Sequence, residues 1–428
     1  MRGQFAALLL SRGAASGFQA LTVILLARWV GAETFGVVAI VTGVGMVLFT
    51  VSDWGLSSYI PRARARGDHG EVALGLRLNL LGNAAAGLLF GVVLALPAAA
   101  GALSPWLCLL PLALAADQFV EAGLTVAVAD RAKRVVIVSI TVRRSLTLAA
   151  MFALHALGVD PVAAYVVGQL ASAAFGLAHV RADLRRRVSE PGPRPTAAAM
   201  YRALVPYVVA NVSTASRTLD AALIGALASV QSAGLYSAAE RLIRPFMLVG
   251  GAAAAVVLPH AARHPLAEGK RLGRVLVVSA VAALVPLGGL ALASGPIVRL
   301  LFGDAFAGAA PMLAWGLCSL PFVSLASPLG GILQGQGHAG FVARNGMVFA
   351  AVTLALIAGG AWQWGGTGAA AGVGAAYFLK CLFLWTRLER AAAPPNTPTF
   401  RPRGPERAAA NRRAERELKS AGSTSRGR

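Results

Sequence analysis

The chain has 428 residues, of which 57% are hydrophobic and only 13% are charged, and its mean hydropathy is +0.66. Soluble domains carry about 25% charged residues, so this composition excludes an ordinary soluble enzyme or binding module and indicates a membrane protein. A formal net charge of +21 would suggest nucleic acid in a soluble protein. Here the cations lie in loops between apolar runs, so no nucleic-acid partner is expected.

A helix that spans a membrane needs about 20 mostly apolar residues, and the chain offers twelve such runs. We therefore predict an all-α polytopic membrane protein with about twelve transmembrane helices. Pro61 is expected to end the second of them. The predicted spans are, in chain order, 5–30, 36–60, 72–96, 106–129, 135–157, 162–180, 203–228, 233–258, 272–293, 312–333, 341–362 and 368–387.

Lys and Arg are distributed unevenly among the loops. The loops after spans 2, 4, 6 and 8 are basic, as is the tail after span 12, whereas the turns after spans 3, 5, 7 and 11 carry neither residue. The turn after span 9 has one cation, Arg299. Because cytoplasmic loops carry the excess of cations, we predict a multi-pass protein of the inner (plasma) membrane with both termini cytoplasmic.

A weak internal repeat divides the chain into two halves. Gly36 and Gly234 each stand near the start of the second helix of a half, and both helices are expected to end at a proline, Pro61 or Pro259. Six spans separate the equivalent points, so the halves have the same orientation, which is a known transporter plan. The predicted organisation is a six-helix bundle over 1–190, a cytoplasmic linker over 191–202, a second six-helix bundle over 203–390 and a basic disordered cytoplasmic tail over 391–428.

Ionisable residues inside apolar runs are the main functional signal, because hydrocarbon offers a charge no water. Arginine suits a phosphate, since its planar guanidinium binds two phosphate oxygens at once. The cations predicted to bind a substrate phosphate in a cavity are Arg12, Arg143, Arg144, Arg217 and Arg241. The carboxylates predicted to bind a coupling ion or to pair with arginines are Asp117, Glu121, Asp220 and Glu240. The alternative for these charges is snorkelling near span ends or internal pairing.

Two of these acids stand at helical spacing from an arginine. Asp220 lies three residues after Arg217, and Glu240 lies four residues before Arg244, so each pair shares one helix face. We interpret Glu240 and Arg244 as a structural pair. A phosphate would compete with Asp220 for Arg217, which is a plausible switch.

Asp117 and Glu121 are four residues apart in the fourth span, where mutual repulsion and desolvation favour a proton on one of them. They therefore indicate either coupling to protons or sodium, or pairing with arginines of a neighbouring helix. His260 and His264 have a metal-like spacing without a third ligand, so no metal is predicted. No glycine-rich ATP-binding loop is present. No cofactor and no enzymatic activity are predicted, and a gradient or a partner must supply the energy.

Several short segments resemble a known family. They are LARWVGAETFG at 26–36, DWGL at 53–56, RTLD at 217–220, AGLYSA at 233–238 and LFGDAF at 301–306. They are similar to polysaccharide-transporter, O-antigen-flippase-type proteins of the multidrug/oligosaccharidyl-lipid/polysaccharide exporter superfamily. The resemblance implies two six-helix bundles around a V-shaped central cavity. It also implies flipping of undecaprenyl-diphosphate-linked sugars, with a lipid-linked oligosaccharide, membrane lipids and possible polysaccharide-assembly proteins as partners.

Three functional hypotheses follow from the sequence. The leading one is a flippase for a lipid-linked polysaccharide precursor, working by alternating access of the two halves. The first alternative is a multidrug or cation antiporter of the same superfamily, which is disfavoured by the 7% aromatic content and the mid-span arginines. The second is a membrane glycosyltransferase, polymerase or ligase, which is disfavoured because the predicted outer turns are too short to hold a catalytic domain.

Overall fold

The computed structural model of the protein describes residues 2–188 and 196–391, without the side chains at 2–12, 14, 206, 208–217 and 248. Within these residues all regular secondary structure is helical. The α-helices are α1 (Arg2–Ser52), α2 (Leu56–Arg66), α3 (His69–Ala99), α4 (Leu110–Ala129), α5 (Lys133–Ala156), α6 (Pro161–Arg187), α7 (Ala197–Ala215), α8 (Asp220–Leu227), α9 (Val230–Ala261), α10 (Leu266–Leu292), α11 (Ser294–Phe302), α12 (Ala310–Gly335) and α13 (Ala339–Arg390). Three 3-10 helices cover Pro105–Leu109, Ser216–Leu219 and Asp304–Ala309.

Nine helices of the described chain are long and apolar enough to cross a membrane. Two of them each contain two spans: α1 breaks at Gly31 (φ 78°) and α13 breaks at Gly365 (φ 62°), in the left-handed region that glycine favours. The segment from α7 to α8 covers the remaining predicted span. The prediction of an all-α polytopic fold with about twelve spans is therefore confirmed.

The prolines do not end helices as the sequence analysis expected. The second span ends at Ser52, where Trp54 and Gly55 adopt positive φ, and Pro61 lies inside the next helix, α2. Likewise α9 continues past Pro259 to Ala261. A proline removes one backbone hydrogen bond. Burial of one face of α2 compensates for this loss, so packing overrides the local signal.

Helices lie on both sides of the segment predicted as the linker between the halves. The sixth helix continues to Arg187, and α7 starts at Ala197 within the predicted linker of 191–202. Aromatic contacts hold the start of α7 against α2 and the break before it: Trp54 packs on Tyr201 with ring centroids 5.3 Å apart, and Tyr59 on Tyr207 at 5.8 Å. The start of the seventh span is therefore attached to the N-terminal half.

The two halves meet closely where the predicted repeat aligns. A Cβ atom on Gly36 would collide with the carbonyl oxygen of Val230, and one on Gly234 would collide with that of Ala32. The same offset of 198 residues (234 − 36 and 230 − 32) relates both pairs, so this contact is itself two-fold symmetric. α1 and α9 thus cross backbone to backbone, at a point where only glycine leaves enough room.

A network of ion pairs at the predicted cytoplasmic side ties α2, α4 and α6 together. Arg64 donates two hydrogen bonds to Asp130, at 2.8 and 3.0 Å, and Arg187 lies 3.3 Å from Asp130 and 2.7 Å from Asp183. The hydrogen bonds from Arg64 lower the pKa of Asp130 below its usual 3.8, although partial burial opposes them. Such a network fixes the inner ends of three helices relative to each other.

We expect Asp130→Asn to lower the thermal unfolding midpoint at neutral pH. Because the folded-state pKa of Asp130 is depressed, its contribution is present above the unfolded value and disappears as the pH falls through the folded value. The difference between wild type and Asp130→Asn should therefore shrink below about pH 4. This prediction is checked by measuring the unfolding midpoints of both proteins in detergent from pH 3 to 7, roughly the range that contains the titration of Asp130. Asp304→Asn is the control, since that side chain is 93% exposed, and an equal pH dependence in both variants would contradict the prediction.

Candidate functional site

A layer of charged side chains lies at mid-span on α4, α5 and α9. Asp117 and Glu121 stand on α4, Arg143 and Arg144 on α5, and the 240–244 segment on α9. Each is at least seven residues, or about 10 Å, from the end of its helix. These charges therefore lie where a bilayer would offer them no water, and protein groups or an aqueous opening must solvate them.

Arg143 is the most deeply placed of these groups, since its side chain is 0% exposed. It donates short hydrogen bonds to both Asp117 and Glu121. Its aliphatic part packs against α6, where a Cβ on Gly176 would lie 2.7 Å from Cδ of Arg143. Arg143 is thus positioned to hold the two acids together. A phosphate could contact Arg143 only after this pairing opened.

Arg144 lies on the neighbouring face of α5 and is partly accessible. Its Nη2 is 3.5 Å from Asp117, a loose pair, and its side chain is 23% exposed. Glu121 is 48% exposed despite its depth. Because a charged group at this depth faces protein or water rather than lipid, we infer that this face of α4 and α5 borders an aqueous opening.

The C-terminal half contributes three charges from one turn and a half of α9. Glu240 accepts a hydrogen bond from Arg244 at 2.8 Å, which is the structural pair that their spacing indicated. Arg241, between them in sequence, is half-buried and has no hydrogen-bond or ion-pair partner among the described residues. The charges of Arg241 and Arg144 both act on the hydroxyl of Tyr165, on α6. Tyr165 thus lies within the electrostatic range of one arginine from each half.

Asp220 starts α8 and is only 5% exposed. It accepts hydrogen bonds from the backbone N–H of Ala221 at 2.8 Å and from the hydroxyl of Tyr236 at 3.1 Å. Together with Tyr236 and Glu240 it borders a cavity of about 50 Å³ inside the C-terminal half. Its predicted partner Arg217, and Arg12 as well, have side chains outside the described residues.

A second buried carboxylate, Asp53, was left without a role by the sequence analysis. It is 5% exposed and accepts hydrogen bonds from Asn79 and from the backbone N–H and hydroxyl of Ser57. Ser57 lies in the first turn of α2, so Asp53 caps that helix. The sequence signal that could have marked Asp53 was its position in the DWGL motif at 53–56. Tyr165, by contrast, had no sequence pattern that marked it.

The fold is similar to those of several solved transporters. The MurJ lipid II flippase in an inward closed conformation shares 12% identity over 91% of this chain and 88% of its own, with a TM-score of 0.57. The MATE multidrug transporter DinF-BH shares 16% identity over 92% of this chain and 95% of its own, with a TM-score of 0.62. The Vibrio cholerae MATE transporter VcmN in the bent form shares 14% identity over 91% of this chain and 95% of its own, with a TM-score of 0.54. At such identities the likeness shows the fold alone.

The sequence comparisons are more specific. No curated protein sequence matches the chain. A family model described as "Polysaccharide biosynthesis protein" matches residues 25–311, about two thirds of the chain, including every charged residue of the mid-span layer. Because this match covers more than half of the chain, the chain belongs to this polysaccharide biosynthesis protein family.

Proposed function

We propose that the protein is a membrane flippase that moves a diphosphate-linked lipid oligosaccharide across the bilayer by alternating access of its two halves. Family membership supports a role in polysaccharide biosynthesis. The observation that carries the proposal is Arg241, a half-buried mid-span arginine with no carboxylate within ion-pair distance among the described residues. Such a charge is costly unless a ligand of opposite sign binds it.

The placement of the arginines fits a diphosphate. Arg144 comes from the N-terminal half, on α5, and Arg241 from the C-terminal half, on α9. One phosphate group bound by each guanidinium would join the halves, while the sugars remained in the aqueous opening beside Glu121. Asp117, which pairs loosely with Arg144, would be displaced when the phosphate bound. Arg12 and Arg217 remain candidates for the same cavity.

The carboxylates supply a candidate route for energy coupling. Asp220 is buried, and no cation lies within ion-pair distance of it among the described residues. Together with Glu240 and Tyr236 it borders the small cavity of the C-terminal half. We propose that a proton or sodium ion neutralises Asp220. Asp117 and Glu121 already pair with Arg143, and Asp117 also pairs with Arg144, so two arginines balance the two acids. The coupling role of these two acids is therefore the weaker part of this proposal.

The topology and the partners complete the proposal. The distribution of cations supports an inner-membrane protein with both termini cytoplasmic. The partners are membrane lipids and the proteins that assemble the polysaccharide. A cation antiporter of the same superfamily is the second candidate, favoured by the half-exposed Glu121, which would bind an organic cation. A glycosyltransferase or polymerase would need a catalytic domain, for which the described loops leave no room.

The test is flipping in proteoliposomes that contain a fluorescent undecaprenyl-diphosphate oligosaccharide. Arg144→Gln and Arg241→Gln should each slow flipping by about 10- to 100-fold, since a charge-assisted hydrogen bond contributes about 1.5–3 kcal/mol. Arg274→Gln is the matched control, because Arg274 makes a surface pair with Glu389 far from the mid-span layer. Full activity in both mid-span variants would contradict the phosphate site. Wild-type transport of an organic cation, without flipping, would favour the antiporter.

A further inference from the structure

A cluster of metal-ligating side chains lies where α9 turns into α10, at the predicted cytoplasmic face and away from the mid-span charges. His260 is in the last turn of α9, His264 is in the connecting turn, and Glu268 is in the first turn of α10. Their ligand atoms all lie within 4.8 Å of one another. The two histidines alone gave no metal prediction. The third ligand, Glu268, stands four residues after His264, beyond the turn at Pro265, and the sequence analysis did not include it.

The orientation of His264 is fixed by a hydrogen bond that leaves one ring nitrogen free. Its Nδ1 lies 2.8 Å from the backbone carbonyl oxygen of His260. A carbonyl oxygen can only accept, so Nδ1 carries a proton, and in the neutral imidazole Nε2 then has the lone pair. Metal-binding histidines usually donate their second N–H to an acceptor of this kind, which holds the ring in place. His264 therefore has the support that a ligand needs before any metal binds.

The other two groups lie beside His264. The rings of His260 and His264 stack with centroids 4.0 Å apart, and Nε2 of His260 lies 3.4 Å from Oε1 of Glu268. A groove of about 670 Å³, lined by His260, Glu268 and Arg271, leads to the cluster from solvent. The ligands thus have an entry path, and none of them is locked in a stronger interaction.

We propose that His260, His264 and Glu268 bind a divalent transition metal, with Zn²⁺ the best match. Two imidazole nitrogens and one carboxylate oxygen suit zinc, whereas Mg²⁺ and Ca²⁺ prefer all-oxygen sites. Three protein ligands leave a fourth tetrahedral position for water. Arg271 stands beside the site and weakens cation binding through its charge. Because the ligands come from both sides of the turn, the metal joins the inner ends of α9 and α10.

The test uses the full chain, purified in detergent without a polyhistidine tag and stripped with a chelator. Zn²⁺ titration by calorimetry should give one site per chain, and Co²⁺ should give the absorption bands of a tetrahedral complex. His264→Ala should weaken binding by more than about 100-fold, because even the loss of an outer partner costs about 10- to 100-fold. Glu268→Gln should weaken it less, and Arg271→Gln should strengthen it. Zn²⁺ should also raise the wild-type melting temperature and leave that of His264→Ala unchanged.

His338→Ala is the matched control, since His338 lies in another turn at the same predicted face, between α12 and α13. It should bind zinc as the wild type does. The proposal is overturned if the wild type binds no stoichiometric metal, or if His264→Ala binds as tightly as the wild type, in which case the metal is adventitious. These measurements report binding alone, so their result is independent of the transport proposal.

Discussion

Gly234→Leu is expected to reduce flipping by at least about tenfold while leaving the protein folded. Gly234 and Gly36 bring α1 and α9 together backbone to backbone, and any Cβ there meets a carbonyl oxygen of the facing helix. A backbone atom cannot rotate away, so the halves must separate locally, and overpacking of this kind costs about 1–3 kcal/mol. If this contact closes one side of the transport pathway, the overpacking energy destabilises the closed state and lowers its population.

The separation of the halves can be measured directly. Phe35 and Phe306 lie beside the glycine contact with ring centroids 6.0 Å apart. A Phe35→Cys/Phe306→Cys pair, in a background without the three native cysteines, should be joined by a short bifunctional thiol crosslinker that takes the place of the two rings. The yield should fall when Gly234→Leu is added. Gly251→Ala on the same helix is the control, because a Cβ there meets nothing within 4 Å. Unchanged crosslinking and flipping in Gly234→Leu would contradict the prediction, because the contact between α1 and α9 would then not close the transport pathway.

Removing both acids around Arg143 is expected to have the largest effect on stability. In the Asp117→Asn/Glu121→Gln variant a wholly buried guanidinium would lose both of its charged partners. An uncompensated buried charge costs about 3–5 kcal/mol, and the partial exposure of the two acids places the expected loss toward the lower end. Unfolding in detergent by heat or denaturant should therefore occur much earlier than in the wild type.

A third substitution separates charge from packing. Adding Arg143→Met to that variant removes the unpaired charge and should restore most of the lost stability, because an apolar side chain of similar length fills the same space. Glu240→Gln is the control: its partner Arg244 is 41% exposed, and such pairs contribute less than about 1 kcal/mol. If the double variant were as stable as the wild type, Arg143 would have another means of solvation.

Arg143 and Arg144 have different surroundings within the mid-span layer. Arg143 and Arg144 are adjacent in sequence, yet one is fully buried between acids and the other is partly accessible. Adjacent residues on a helix point about 100° apart, so one faces α4 and α6 while the other faces the opening. The substrate site we propose therefore depends on Arg144 and Arg241, with Arg143 fixing the acids beside them.

The sequence by itself determined the class of the protein, its spans and its two-fold organisation. In a membrane each helix must satisfy its own backbone hydrogen bonds, so a span can be recognised from the local sequence as a sufficiently long apolar run. The alignment of Gly36 with Gly234 was also readable, and the structure places that pair in direct contact. The two helix ends placed at prolines were wrong, because local propensity yields to packing when a helix face is buried.

Only the tertiary structure decided which charges meet. Arg143 pairs with acids more than 20 residues away, and Tyr165 lies within the electrostatic range of arginines of different halves. None of these partnerships has a local pattern. They depend on how each helix is rotated about its axis, and that rotation is set by the sum of packing contacts between helices distant in sequence.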